Sequence, residues 1–136
     1  MLPAVFLDTS YLLALVNAAD ASHTRALRGA GKLATAHQKS VTTEAVLFEF
    51  CNSLSRKFWR ESAVQIVRAL RENSDVIVVP INTTLLNRSF DLYANRLDKE
   101  WSLTDCLSFI VMQDQQLKQV LTTDHHFRQA GFEIVL

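Results

Sequence analysis

Short runs of β-branched or apolar residues alternate with longer stretches of helical period along the chain, and this alternation limits the folds available to it. The short runs occupy residues 4–7, 40–42, 76–80, 119–122 and 132–135. Strands separated by helices in this way pair in parallel, and the helices cover both faces of the sheet. The sequence therefore predicts an α/β fold, a three-layer α/β/α domain around a mainly parallel sheet of about five strands.

The stretches between the short runs predict the helices and their boundaries. Helices are expected over residues 10–16, 20–36, 44–58, 60–71, 82–97, 102–117 and 124–130. Asp20, Asn82 and Ser102 are residue types that favour the N-cap of a helix. With 136 residues, 49% of them hydrophobic, the chain is long enough to form one domain, residues 1–136, around a single core.

The bulk composition excludes some classes of protein and leaves others open. Lysine plus arginine equals aspartate plus glutamate at 14 each, so the net charge does not indicate a nucleic-acid partner. No apolar run approaches the roughly 18 residues of a membrane span, and the first residues lack the basic leader of a signal peptide. Cys51 and Cys106 are isolated and are expected to be reduced core thiols. These features predict a cytoplasmic protein with no membrane partner.

Four acidic residues lie at the edge of an apolar segment or inside one, and we call them the four acids: Asp8, Glu49, Asp105 and Asp124. A carboxylate in apolar surroundings is costly to desolvate unless a positive group shares its site. No lysine or arginine lies within a few residues of Asp8, Glu49 or Asp105. Asp8 and Asp124 follow predicted strands, whose carboxyl ends border the functional crevice of an open α/β sheet. If the fold gathers the four acids, they form an oxygen site suited to Mg²⁺ or Mn²⁺.

Three of the four acids also have a purely structural interpretation. Asp8 could cap the helix that follows it, and Asp124 could be an acid in the first turn of a short helix. Asp105 follows Ser102 at the spacing of a capping box. Glu49 has no basic residue four positions before or after it, so a surface ion pair does not explain it and an inward orientation is expected.

A cluster of cations and aromatic residues is a second candidate for contact with other molecules. Arg56, Lys57, Trp59 and Arg60 interleave at the predicted junction between two helices, and we call them the basic corner. Such a cluster suits contact with RNA or with a partner protein, although a solvated corner has the same composition. His126 lies two residues after Asp124 and is a further candidate for contact in the crevice.

Taken together, the segments that carry the four acids resemble those of PIN-domain nucleases, close to the VapC-type toxins of bacterial toxin–antitoxin pairs. The resemblance covers essentially the whole chain and rests on residues 6–15, 43–49, 102–109 and 121–127. Each segment alone is a weak signal, but four in this order and spacing make a strong match. The resemblance implies metal-dependent hydrolysis of RNA phosphodiester bonds by an endoribonuclease.

The resemblance also implies roles for individual residues and for partners. The four acids would be the catalytic metal ligands for Mg²⁺ or Mn²⁺. Ser10 and Thr104 would support the site through hydroxyl hydrogen bonds, and Thr122 would hold the last loop. His126 stands where many relatives carry another acid, which puts a fifth carboxylate ligand in doubt. Besides the RNA substrate, the implied partners are a second copy of the chain in a homodimer and a small antitoxin protein whose tail blocks the crevice.

Two other functions remain open at the level of the sequence. A phosphatase of the haloacid dehalogenase type also has an aspartate at a strand end, but its Asp-x-Asp-x-Thr/Ser motif would need an aspartate where this chain has Ser10. The other alternative is a PIN-fold module that binds RNA or protein with weak cleavage or none. Intact acids argue against this second alternative.

Overall fold

The computed structural model describes residues 2–136 and contains a five-stranded sheet in which neighbouring strands run parallel. The strands are β1 (Val5–Leu7), β2 (Ser40–Thr43), β3 (Val76–Val79), β4 (Gln119–Leu121) and β5 (Glu133–Ile134), and their order is β3-β2-β1-β4-β5. The central strand is β1, where Phe6 pairs with Val41 on one side and with Val120 on the other. The predicted parallel sheet is confirmed, and its carboxyl edge carries the ends of β1, β2 and β4 side by side.

The helices flank the sheet in two groups. They are α1 (Thr9–Val16), α2 (His23–Ala36), α3 (Glu44–Ser53), α4 (Lys57–Glu72), α5 (Thr83–Asn95), α6 (Leu103–Asp114) and α7 (His126–Gln129). Helix α1 contacts α2, α3 and α4, whereas α6 contacts α5 and α7 and also meets α3. Right-handed crossovers place the connections from β1 to β3 on one face and those from β3 to β5 on the other. This arrangement confirms the predicted α/β/α layers.

The most deeply buried helix is α6, which carries one of the four acids at its start. Every residue from position 105 to position 112 in this helix is buried. The Phe109 ring packs edge-on against Phe127, with ring centroids 5.0 Å apart, and against Trp101 at 4.9 Å. Aromatic pairs of this geometry add to the free energy of burial. These contacts hold α6 against Phe127 of α7, the helix that follows β4.

The prediction of one helix over residues 44–58 was wrong, because the chain breaks after Ser53 and starts α4 at Lys57. The Ser55 hydroxyl donates to the backbone carbonyl of Asn52 at 2.7 Å, and so takes up an acceptor that a continuing helix would use. Leu54 turns into the core at 6% exposure. Because of the break, α3 and α4 both contact α1.

Two smaller expectations also failed. Asp20 does not cap α2, which begins at His23 with Ser22 in the N-cap position, and the Asp20 carboxylate accepts from the Ser22 backbone N–H in the preceding turn. Cys51 is exposed instead of buried, whereas Cys106 lies in the core as expected. Within residues 2–136, no helix combines the length and apolar character needed to cross a membrane.

Candidate active site

Asp8 lies at the carboxyl end of the central strand and is only 3% exposed. It occupies the N-cap position of α1, yet its side chain makes no capping hydrogen bond. Its Oδ2 atom accepts from Thr122 Oγ1 at 2.7 Å and from Ser10 Oγ at 3.1 Å. Helix capping therefore does not explain this carboxylate, which is oriented towards the loop after β4.

The hydroxyls of Ser10 and Thr122 join the ends of β1 and β4. Their oxygen atoms are 2.9 Å apart. Ser10 Oγ accepts from the backbone N–H of Thr123, and Thr122 Oγ1 accepts from that of Asp124, both at 2.9 Å. The position of the loop that carries Asp124 is thus tied to the carboxylate of Asp8.

Asp105 combines a structural contact with a place in the same cluster. It is 7% exposed, and its Oδ2 atom accepts from the backbone N–H of Ser102 at 3.1 Å, while Ser102 Oγ accepts from the Asp105 N–H at 2.9 Å. This is the capping box that the spacing indicated. The same Oδ2 lies 3.1 Å from Nδ1 of His126. The capping interpretation is therefore correct without removing Asp105 from the cluster.

His126 connects two of the acids, which sequence reasoning did not foresee. Its Nδ1 atom lies 3.1 Å from Asp105 Oδ2 and 3.3 Å from Asp124 Oδ1. Its backbone N–H donates to Asp124 Oδ1 at 2.9 Å, which gives Asp124 the helix-start contact considered above. Side-chain ligand atoms of Asp124, His125 and His126 lie within 4.8 Å of one another. The only signal in the sequence was the spacing of two residues between Asp124 and His126.

Glu49 stands apart from the other three acids. It is half-buried on α3 and lines a groove together with Thr104, the residue before Asp105. Within residues 2–136, no hydrogen bond joins the Glu49 carboxylate to the other acids, and the carbonyl of Thr104, not its hydroxyl, accepts from Ser108. The structure thus gathers three acids and places the fourth at the adjoining groove.

Burial and, to a lesser extent, mutual repulsion raise the pKa values of two acids in the cluster. Burial raises the pKa of Asp8 to about 6, the nearby Asp105 charge adds to the rise, and the hydrogen bonds from Thr122 and Ser10 oppose it. Burial also raises the pKa of Asp105, and the charge of Asp124 adds to that rise. Each carboxylate therefore lies within electrostatic reach of the next, as expected for acids that share one site.

This donor set fits a hard divalent cation. Among residues 2–136, the ion pairs of Asp105 and Asp124 involve only imidazoles, and Asp8 has none. Carboxylate oxygens without a lysine or arginine partner are the ligands that Mg²⁺ and Mn²⁺ prefer in proteins. The residues that would hold such an ion are Asp8, Asp105 and Asp124, with Glu49 at the groove.

The structure does not bring the basic corner into this cluster. Its residues lie at the junction of α3 and α4, where the Trp59 ring packs edge-on against Phe58 at 5.1 Å. Arg60 Nε donates to the backbone carbonyl of Ser55. No hydrogen bond or ion pair within residues 2–136 links Arg56, Lys57 or Arg60 to the four acids. Contact of this corner with RNA or a partner stays a prediction.

The raised pKa of Asp8 predicts that, in the metal-free protein, this carboxyl contributes more to stability in mild acid than at neutral pH. In the folded state this carboxyl keeps its proton up to about pH 6, whereas its ordinary pKa is 3.8. The contribution of Asp8 to stability is therefore intact below pH 4 and is lost as the pH rises through about 6. The loss is roughly 3 kcal/mol at neutral pH. The difference in urea unfolding between wild type and Asp8→Asn, in EDTA between pH 3.5 and 7.5, measures it.

The Asp8→Asn variant isolates this effect from those of other groups. Because the amide does not ionise, the free energy of unfolding of the variant should rise relative to that of wild type across the same pH range. If both proteins show parallel pH profiles, the carboxyl of Asp8 does not titrate in the expected range.

The chain is similar to known proteins in both sequence and fold. The sequence pattern of the PIN domain matches residues 5–133. The chain is 31% identical over 130 residues to the 23S rRNA-specific endonuclease VapC20 of Mycobacterium tuberculosis, covering 94% of this chain and 95% of that protein. The crystal structure of VapC20, described as a sarcin–ricin loop-cleaving toxin, superposes with a TM-score of 0.81 at 29% identity, with the same coverage of 94% and 95%.

A more distant structure shares the fold. VapBC2 from Rickettsia felis, crystallised with a DNA fragment from its promoter, superposes with a TM-score of 0.67 at 12% identity, covering 97% of each chain. At this level of identity the likeness concerns the arrangement of strands and helices alone.

Proposed function

The chain belongs to the PIN-domain family, and we propose that it is a metal-dependent endoribonuclease that acts as the toxin of a toxin–antitoxin pair. The observation that carries the proposal is the meeting of Asp8, Asp105 and Asp124 at the carboxyl edge of the sheet, where none of them pairs with a lysine or arginine of residues 2–136. The relative VapC20 is an RNA endonuclease, which supports the same reaction class here.

The residues of the site would bind the metal ion and hold one another's side chains in position, and none of them needs to act as a nucleophile. A bound Mg²⁺ or Mn²⁺ supplies Lewis-acid polarisation of the phosphodiester and makes water more acidic. Thr122 and Ser10 fix the orientation of the Asp8 carboxylate through their hydroxyls. The capping box and His126 together fix Asp105. Preorganised charges of this kind lower the barrier because they need no rearrangement during the reaction.

The alternative of a haloacid-dehalogenase-type phosphatase loses support. Ser10 replaces the second aspartate of that motif, and its hydroxyl is bonded to Asp8 and Thr122. The match to the PIN domain over residues 5–133 favours phosphodiester hydrolysis instead. A PIN-fold module without cleavage would not need to keep a buried carboxylate such as Asp8, since burial of a charge is costly.

The proposed partners follow from the same family. We propose that the protein binds a small antitoxin, because VapC20 is described as a toxin and the VapBC2 structure has the same fold. We also propose a homodimer in the cytoplasm, as the sequence resemblance implies. Size-exclusion chromatography with light scattering on the purified chain tests the dimer.

Cleavage of a panel of RNAs, with and without metal, tests the proposed reaction. The panel should include an RNA that contains the sarcin–ricin loop of 23S rRNA, since that is the substrate class named for VapC20. We expect internal cleavage in Mn²⁺ or Mg²⁺ and none in EDTA. Phosphomonoester hydrolysis at a comparable rate would favour the phosphatase, and RNA binding without cleavage would favour the binding module.

A further inference from the structure

A groove of about 460 Å³ runs between α3 and the start of α6, beside the acids. Phe48, Glu49 and Asn52 line it from α3, and their spacing of three and four residues places them on neighbouring positions of one helix surface. Ile81 and Thr104 complete the lining. The groove therefore contains one of the four acids and the neighbour of another.

Phe48 is unusual because its large aromatic side chain is exposed next to an acid of the site. It is 68% exposed, whereas Phe50, two positions along the same helix, is fully buried. Within residues 2–136, the close pairs of aromatic rings do not include Phe48. An exposed aromatic face in a groove beside a phosphodiester site has the properties of a platform on which a base can stack.

We propose that this groove binds one unpaired nucleobase of the RNA substrate, next to the phosphodiester that is cleaved. Phe48 stacks on the face of the base, and the side-chain amide of Asn52 forms hydrogen bonds with its edge. Ile81 supplies an apolar wall. This inference rests on the proposed function and adds to it a site that selects single-stranded RNA, where bases are free to leave the stack.

The lining of the groove favours a base over a protein segment. Asn52 and Ser53 add polar groups to an aromatic and aliphatic surface, a combination that matches the flat face and polar edge of a base. Phe48 also lines a separate, more apolar depression with Leu47 and Val67, which Glu44 and Arg71 border. A protein segment would find apolar contacts and an ion-pair partner there, outside the groove that contains Glu49.

Alanine substitution of Phe48 tests the inference, with Phe90→Ala as the matched control. Phe90 is 57% exposed but lies on α5, away from the basic corner, and it does not line the groove. On an RNA that the wild type cleaves, Phe48→Ala should raise KM by about 5- to 100-fold with little change in kcat. Phe48→Trp should retain the wild-type KM. Anisotropy of the same labelled RNA in EDTA should show a matching loss of affinity.

Asn52→Ala supplies a second readout that does not depend on overall affinity. It should relax the preference for one base at a single position of the cleavage sequence, because the amide is proposed to contact the base edge. The Phe90→Ala control should change neither KM nor the sequence preference.

The outcomes separate this inference from the proposed function. If the wild type cleaves RNA but Phe48→Ala behaves like Phe90→Ala, the groove does not bind a base and the nuclease assignment stands. If Phe48→Ala keeps its KM and instead abolishes self-association in light scattering, Phe48 contacts protein and the inference is overturned. If the wild type cleaves no RNA in the panel, the proposed function fails and the inference fails with it.

Discussion

Asp8→Asn is expected to lower kcat/KM for RNA cleavage in Mn²⁺ by at least about 1,000-fold, or roughly 4 kcal/mol of transition-state stabilisation. Asp8 is the most buried of the four acids and forms no ion pair with the residues that the structure describes, so its charge is available to a bound cation. The amide removes that charge but keeps an oxygen that can accept from Thr122 and Ser10. The loss should therefore concern metal binding and reaction rate, and the fold should remain intact.

Asp91→Asn is the matched control for this variant. Asp91 is an exposed acid on α5 and receives the same chemical change outside the cluster. Cleavage rates, circular dichroism and thermal midpoints should be measured on all three proteins. A folded Asp8→Asn protein that cleaves RNA at the wild-type rate would show that Asp8 is not a catalytic ligand.

The placement of Asp8 and Asp124 could be predicted because it follows from topology. In a parallel sheet, residues that end neighbouring strands meet at one edge, and β1 is paired with β4. The position of Asp105 needed more than the strand pattern. Its capping box was visible as a spacing, but its contact with His126 depends on how α6 packs under the loop after β4.

The orientations of side chains on α3 could not be predicted, since they depend on packing partners. Phe48 and Phe50 flank Glu49 in an apolar segment, and the sequence does not indicate which ring is buried. In the structure Phe50 enters the core, which leaves Phe48 exposed and Glu49 half-buried. The break after Ser53 has a similar origin, because the hydrogen bond of Ser55 competes with helix continuation only once Leu54 has a core to enter.

Millimolar Mn²⁺ is expected to raise the thermal midpoint of the wild-type protein by about 8 °C at pH 7.5. A ligand present at 100 times its Kd stabilises the folded state by about 2.7 kcal/mol, and a chain of this size gains roughly 3 °C per kcal/mol. The physical source is the burial of the carboxylates, which raises the pKa of Asp8 and Asp105, with a smaller contribution from their mutual repulsion; a bound cation relieves both.

Three comparisons make this stabilisation specific to the acid cluster. Asp8→Asn should lose most of the Mn²⁺ shift while its metal-free midpoint at pH 7.5 exceeds that of wild type, since the buried charge is gone. KCl at equal ionic strength should not reproduce the shift, because screening acts weakly on buried charges. At pH 5 the shift should shrink, since Asp8 with a pKa of about 6 must release its proton before it can bind a cation. An equal Mn²⁺ shift in wild type and Asp8→Asn would place the bound ion elsewhere and remove the basis for assigning Asp8 as its ligand.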